Sequence, residues 1–390
     1  MQATGSNVES RARLLLAREL MLRFAIATGI SKTSPPRRYL WTDAFAVCNF
    51  LGLYRQTGEG EFLECALQLV EQVHHTLGRH RDDDSRRGWI SGLPEQEGEL
   101  HPTRGGLRIG KPLPERGPEE PFDSRLEWDR DGQYLHYLTQ WMHALHRLST
   151  ETNKPIFLSW AIELAQAAHA GFMRPDIVRG HRRLVWKMSI DLDRALVPST
   201  GQHDPLDALL GYLELQADAT APSSAADRGV LEREILESRT LCEDGQWETD
   251  DALGIGSLLI AIFRLARMME RYKLPELALM TRLVVAARIS LDAYTQGNPL
   301  GAPAESRLAF RELGLAIGLH GCERISATPA YGRVINQSLA AISAHGSLAA
   351  DIDEFWSVPG HRQSASWLAH CNINDVMLAS SLTPSGYLGA

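Results

Sequence analysis

The sequence predicts an all-α fold, an (α/α)6 toroid of six inner and six outer helices with long rim loops. Three observations lead there. Helical periodicity covers most of the 390 residues, and no convincing strand run exceeds a few residues. An aromatic or acidic loop followed by an apolar helix recurs about six times, at Trp41-Thr42-Asp43, Trp128-Asp129-Arg130-Asp131, Gln202-His203-Asp204-Pro205 and Trp247-Glu248-Thr249-Asp250-Asp251, then more weakly at Glu305-Ser306-Arg307 and Asn372-Ile373-Asn374-Asp375. The helices also alternate between two compositions.

The elements follow in order. A first helix spans roughly 9–29, with Leu14, Leu15, Leu20, Leu22 and Phe24 around its apolar side and Gly29 at its end. The next two cover about 42–55 and 61–78. After a long interruption come 131–150 and 155–172, the second opened by Pro155, which suits a first-turn position. The series continues at about 204–217, 227–239, 251–272, 274–293, 306–320, 331–345 and 372–382. Helices that open with the recurring pattern are rich in small residues, as in Asp251-Ala252-Leu253-Gly254-Ile255-Gly256-Ser257 and Leu313-Gly314-Leu315-Ala316-Ile317-Gly318. An interior helical glycine costs about 1 kcal/mol relative to alanine, so its repeated use implies close packing on several sides. Their partners, such as 227–239 with Arg228, Glu232, Arg233, Glu234 and Glu237, carry a charged face suited to solvent. Inner helices therefore alternate with outer ones in a single domain over 1–390.

Composition narrows the function classes. The hydrophobic fraction of 44% and charged fraction of 23% are those of a globular protein. A formal charge of -8 argues against nucleic acid, because phosphate binding needs a basic face. Five cysteines without a CxxC pair give no sign of a disulfide framework, and Cys48 and Cys65 read as buried small hydrophobes. The polar stretch 1–13 reads as neither a secretion signal nor a membrane span, so the expectation is a cytoplasmic protein without a membrane partner. No oligomeric state is readable.

With its helix count, its alternation and its Trp/Asp-opened inner helices, the chain resembles the six-hairpin glycosidase-like superfamily over nearly its whole length. That resemblance implies a carbohydrate substrate and a reaction drawn from inverting glycoside hydrolysis, sugar epimerisation or polysaccharide cleavage.

In such an array the inner helix N-termini converge on one rim, whose positive partial charge favours carboxylates and hydroxyl-rich ligands. The long loops enter there. Residues 79–130 form a rim loop or lid, in which Gly88–Gly92 and Gly105–Gly110 are expected to build a short hairpin. A second entry covers 173–203. Of nine tryptophans, Trp41, Trp89, Trp128, Trp186, Trp247, Trp356 and Trp367 fall in or beside entry segments. A flat apolar ring with an N–H donor suits the C–H face of a sugar, although such rings also plug gaps between helices. The expected saccharide-binding residues are Trp41, Asp43, Trp89, Trp128, Trp186, His203, Trp247, Arg307, His361 and Trp367.

Acidic residues at the helix starts supply the chemistry. Inverting hydrolysis needs two carboxyls about 6.5–9.5 Å apart, one protonated and one activating water. Glu127 and Asp131 lie beside Trp128, where desolvation raises a carboxyl pKa, and Asp204 or Asp251 on a facing helix is the expected base, with Asp191 and Asp193 in reserve. Aspartate is also a preferred N-cap, so each has a structural alternative. The expected activity is an inverting glycoside hydrolase on a small saccharide or glycoconjugate. The alternatives are a sugar epimerase or isomerase using His203, His361 and His370 with Arg307 and Arg362, or a saccharide-binding toroid without catalysis. No cofactor and no metal are expected. Asp82-Asp83-Asp84 lies between arginines, His320-Gly321-Cys322 and His370-Cys371 lack zinc-site spacing, and Gly254-Ile255-Gly256 lacks the strand of a dinucleotide motif.

Overall fold

The computed structural model describes residues 2–31, 35–176, 181–220, 229–325 and 328–389. Part of the 173–203 entry and the first two residues of the expected 227–239 helix lie outside the described residues. Long helices dominate, in the α/α class expected from periodicity. They are α1 (Gln2–Ala27), α2 (Leu40–Thr57), α3 (Gly60–Leu77), two short helices α4 (Glu95–Leu100) and α5 (Ser124–Asp129), then α6 (Leu135–Thr152), α7 (Pro155–Phe172), α8 (Asp204–Ala219) and α9 (Glu232–Glu243). The second half holds α10 (Ala252–Tyr272), α11 (Leu277–Gln296), α12 (Ala309–Cys322), α13 (Gly332–Ser343), α14 (Gly346–Ser357), α15 (Ala365–Leu368), α16 (Cys371–Leu382) and α17 (Ser385–Leu388).

Two departures from the sequence reading have local causes. Periodicity stops at residue 345 because His345-Gly346 reads as a helix end, yet Gly346 opens α14, which buries Ala349, Ile352 and Trp356. The glycine strings of 79–130 form no hairpin. Trp89 instead makes an isolated bridge to Arg79, and Gly110 takes φ +90° where a Cβ would stand 2.3 Å from the carbonyl oxygen of Arg38. Only glycine fits that contact, so the strand-like run 107–113 lies directly on the chain that enters α2. The Ile109 oxygen accepts the Leu40 N–H at 3.1 Å and fixes the register.

The chain divides into two compact units, one of residues 1–27, 52–58 and 246–390, the other of 28–51 and 59–245. In the first unit α10 and α12 pack backbone to backbone, because a Cβ on Gly256 would lie 2.2 Å from the Gly314 oxygen and one on Gly318 2.6 Å from the Gly256 oxygen. The other face of α12 meets α14 and α16, α1 lies along α16, and α11 covers α10. Arg23 clamps the buried Asp375 with two bonds, one of 2.7 Å, and so ties α1 to α16. Of the described helices, α10 is long and apolar enough to cross a membrane by length and composition, and most of it is buried within the protein.

In the second unit α6 packs on α7 and α8, and α8 on α9. A small antiparallel sheet, β1 (Gln133–Tyr134), β4 (Lys187–Met188) and β5 (Ala195–Val197), leads into α6, and β2 (Met173–Asp176) pairs with β3 (His181–Leu184) beyond α7.

Candidate functional site

The N-terminal ends of α2, α6 and α8 meet in the second unit. Tyr39, which enters α2, places its hydroxyl 2.5 Å from that of Tyr137 in the first turn of α6. His136, one residue earlier, has Nδ1 3.8 Å from Asp204 Oδ1 at the start of α8. Three helices therefore bring their N-terminal ends to one place. Around these groups the rings of Tyr134, His136, Tyr137 and Trp186 gather at 4.7–5.4 Å between centroids. Tyr39, His136, Tyr137 and Trp186 are each half-buried, so the cluster keeps one face open.

Asp204 is 4% exposed, and its Oδ2 has no hydrogen-bond partner in the protein. Burial pushes its carboxyl up to about 8, with Asp207 adding to the rise and a hydrogen bond from the Gly201 backbone opposing it. Burial pushes His136 down to about 4. Both effects have one cause, the poor solvation of charge at this spot, and together they leave a neutral acid beside a neutral imidazole at pH 7. Asp43 in the first turn of α2 is also raised by burial, to about 6, against the lowering effect of Arg38 at 3.5 Å and of the Tyr39 N–H.

Glu127 and Asp131 are brought near this cluster but are committed to cations. Glu127 accepts from Arg116 Nε and from Lys187 Nζ, both at 2.9 Å. Lys187 is wholly buried and also donates to the backbone oxygens of Glu127 and Arg130, each at 2.8 Å. Asp131, with no exposure at all, is held by Arg108 and Arg81 and by the backbone N–H groups of Gly110 and Gly132. These pairs staple the 79–130 segment to β1 and β4. Asp191 and Asp193 serve the same region, bound by Arg86 and by the Ser189 hydroxyl.

The tryptophans disperse. Trp186 joins the cluster, and Trp128, 58% exposed, stands beside it across Lys111. Trp41 is half-buried against Phe45. Trp89 is buried under Arg79, whose guanidinium stands 4.3 Å from the ring, and α4 closes over it so tightly that a Cβ on Gly98 would touch the indole. His203 is the half-buried N-cap of α8.

The remaining expected residues lie in the first unit, where the N-terminal ends of α10, α12 and α16 meet. Asp251 caps α10 by accepting the Gly254 N–H at 2.9 Å and pairs with Arg311 of α12. Arg307 is buried, doubly bonded to Glu312, with its guanidinium 3.7 Å from the Phe355 ring centroid. Trp356 donates to the same Glu312 at 2.8 Å and packs on Trp367, which is 1% exposed. His361 stacks on Phe355 at 3.9 Å, and Trp247 is 2% exposed. This is a packed cation–π core in which Trp356, Trp367 and Trp247 are buried, while Phe355 and His361 are half-buried.

Sequence reasoning passed over Tyr39, Lys111, Tyr134, His136 and Tyr137. The signal was present, since Tyr39 lies two residues before the Trp41 opening and Tyr134, His136 and Tyr137 follow Asp131 within six residues. Tyrosine, like tryptophan, presents an apolar ring with a polar tip and suits a sugar face.

No family model matches the chain, and no curated protein does. Among solved structures it is similar to a cellobiose 2-epimerase from Spirochaeta thermophila at 15% identity and TM-score 0.48, covering 87% of this chain and 86% of that one. It is similar to a sugar epimerase from a ruminal bacterium at 11% identity and TM-score 0.41, covering 78% and 74%. An unsaturated glucuronyl hydrolase specific for heparin matches at 13% identity and TM-score 0.36, covering 96% of both chains. Likeness at this level assigns no activity to the present chain.

Proposed function

We propose that this protein is a carbohydrate-active enzyme whose chemistry is proton transfer at Asp204 and His136, and that it isomerises or epimerises a sugar. One observation carries the reading. Of the buried carboxyls of the second unit that the sequence offers for chemistry, Asp43, Glu127 and Asp131 each face an arginine or lysine, and Asp204 faces an imidazole alone. A neutral imidazole is a base, and an adjacent neutral carboxyl is an acid. On an open-chain sugar seated over the half-exposed Trp186, His136 takes the proton from the carbon next to the carbonyl. Asp204 gives its proton to the carbonyl oxygen, which yields an enediol. Return of a proton to the other carbon isomerises the sugar, and return to the opposite face of the first carbon epimerises it.

The test is solvent exchange. Aldoses and their disaccharides incubated with the protein in D2O should gain deuterium at C2, read by proton NMR, and D204N or H136N should slow this by a factor of about 100 or more. A second reading is glycoside hydrolysis, favoured by the raised Asp204 carboxyl, which suits a general acid. Release of an inverted anomer from glycosides, without C2 exchange, selects that reading. Saccharide binding without exchange or hydrolysis selects a binding protein.

A further inference from the structure

Cations are numerous around the cluster, and nearly all are committed. Arg81 and Arg108 hold Asp131, Arg86 holds Glu115 and Asp191, and Arg116 and Lys187 hold Glu127. Lys111 differs. It is half-buried, and among the described residues its ammonium makes neither an ion pair nor a hydrogen bond. Its Nζ stands 4.9 Å from the Trp128 ring centroid and 5.5 Å from that of Tyr39. The backbone fixes it there, because the Lys111 oxygen accepts from Arg81 at 2.7 Å and the preceding Gly110 is wedged against Arg38. Asp129 and Asp131 attract the ammonium and Lys187 repels it. Asp131 is already neutralised by two arginines, and the exposed Asp129 attracts the ammonium without forming an ion pair with it.

A half-desolvated ammonium normally has a carboxylate partner. Two aromatic faces flank it in its place, which holds the cation without consuming its three N–H donors. Those donors sit beside Tyr39, whose hydroxyl reaches Tyr137, while His136 next to Tyr137 faces Asp204. The cluster therefore runs from an acid–base pair at one end to an uncommitted cation at the other.

We infer that the sugar processed here is anionic, carrying a carboxylate or phosphate that docks on Lys111 while its reacting carbon lies at His136. This rests on the proposed function and adds the substrate class. The partner group of Lys111 is supplied by the ligand, with Tyr39 and Trp128 as the flanking walls.

The experiment uses the full chain and isothermal titration with D-glucuronate, D-glucose 6-phosphate, D-glucose and inorganic phosphate. At least one anionic sugar is expected to bind tenfold or more tightly than glucose, a difference of about 1.4 kcal/mol. The two anionic sugars distinguish carboxylate from phosphate. The preference should collapse to within about twofold in K111M and survive in K111R, as a charge contact requires. Glucose binding equal to that of both anionic sugars, or a preference unchanged in K111M, overturns the inference and leaves the proposed function standing. Inorganic phosphate binding as tightly as the sugars also overturns it, since the site then reads charge alone. Binding of none of the sugars removes the proposed function and the inference together. K111M replaces a side chain without hydrogen bonds, and its fold is checked by an unchanged melting temperature.

Discussion

Replacing Asp204 by asparagine keeps the shape of the neutral acid and removes its proton, so the variant isolates one titration. Free aspartate ionises near 3.8, and Asp204 does so near 8 in the folded chain. Between those values the unfolded state has released a proton that the folded state keeps. Stability contributed by this group is full below pH 4 and falls as pH rises, by about 1.4 kcal/mol per unit at most. His136 acts in the opposite sense. Its unfolded form takes up a proton below about 6.5 and its folded form only below about 4, so its contribution rises with pH across that interval. The two slopes cancel from about pH 4 to 6.5. Above 6.5 only the Asp204 term remains, and the wild-type chain should lose about 2 kcal/mol by pH 8 from this pair. In D204N the falling arm is absent. Urea titrations of both proteins at half-unit pH steps give the difference directly, since every other group cancels. That difference should tilt against the wild type steadily from pH 4 to 8. A difference independent of pH means that Asp204 ionises normally when folded, and its role as a proton donor falls with it.

Other expectations follow from the packing and the ion pairs. Gly256→Ala should cost about 1–3 kcal/mol in chemical denaturation, because its Cβ would enter the Gly314 backbone. Gly211→Ala in α8 meets nothing within 4 Å and should stabilise by up to about 1 kcal/mol, so equal behaviour of the two variants would refute the packing argument. Lys187→Met should destabilise by about 3 kcal/mol or more in the same assay, since Glu127 keeps only Arg116, and a melting temperature within a degree of wild type would count against the staple. Tyr39→Phe removes the hydroxyl pair with Tyr137, at a cost of about 1 kcal/mol in stability, and should weaken saccharide binding measured by titration calorimetry.

The fold was legible because its signal is repeated and local. Asp251 caps α10 and Pro205 lies in the first turn of α8, where the sequence pattern places them, whereas α6, α12 and α16 open on Tyr134, Leu308 and His370 without a capping acid. Gly346 breaks the pattern, since a residue type that usually ends helices opens α14 here. The site was half legible. The sequence marks helix starts at Trp41, Asp131 and Asp204, and the N-terminal ends of α2, α6 and α8 lie together. It carries no information on which carboxylates find cations, because Arg116, Lys187 and Arg108 reach Glu127 and Asp131 from 11 to 60 residues away. Proximity of Glu127 to Trp128 in sequence suggested a desolvated acid, and two distant cations changed its chemistry.

One local force opposes the protonated Asp204, and its size decides the outcome. The carboxyl sits in the first turn of α8, where the helix macrodipole favours negative charge by about 0.3–1 kcal/mol, reaching about 2 in partly buried sites. Raising an aspartate from 3.8 to about 8 represents several kcal/mol of lost solvation. The dipole therefore opposes the rise but is smaller than the loss of solvation that causes it. A cation within reach would have reversed this, as Arg108 and Arg81 illustrate at Asp131. Lys187 at the cluster is bound to Glu127, and Lys111 is held over Tyr39 and Trp128 instead. Keeping the ammonium and the acid apart on one aromatic face preserves both, the acid for proton transfer and the ammonium for the substrate's charge.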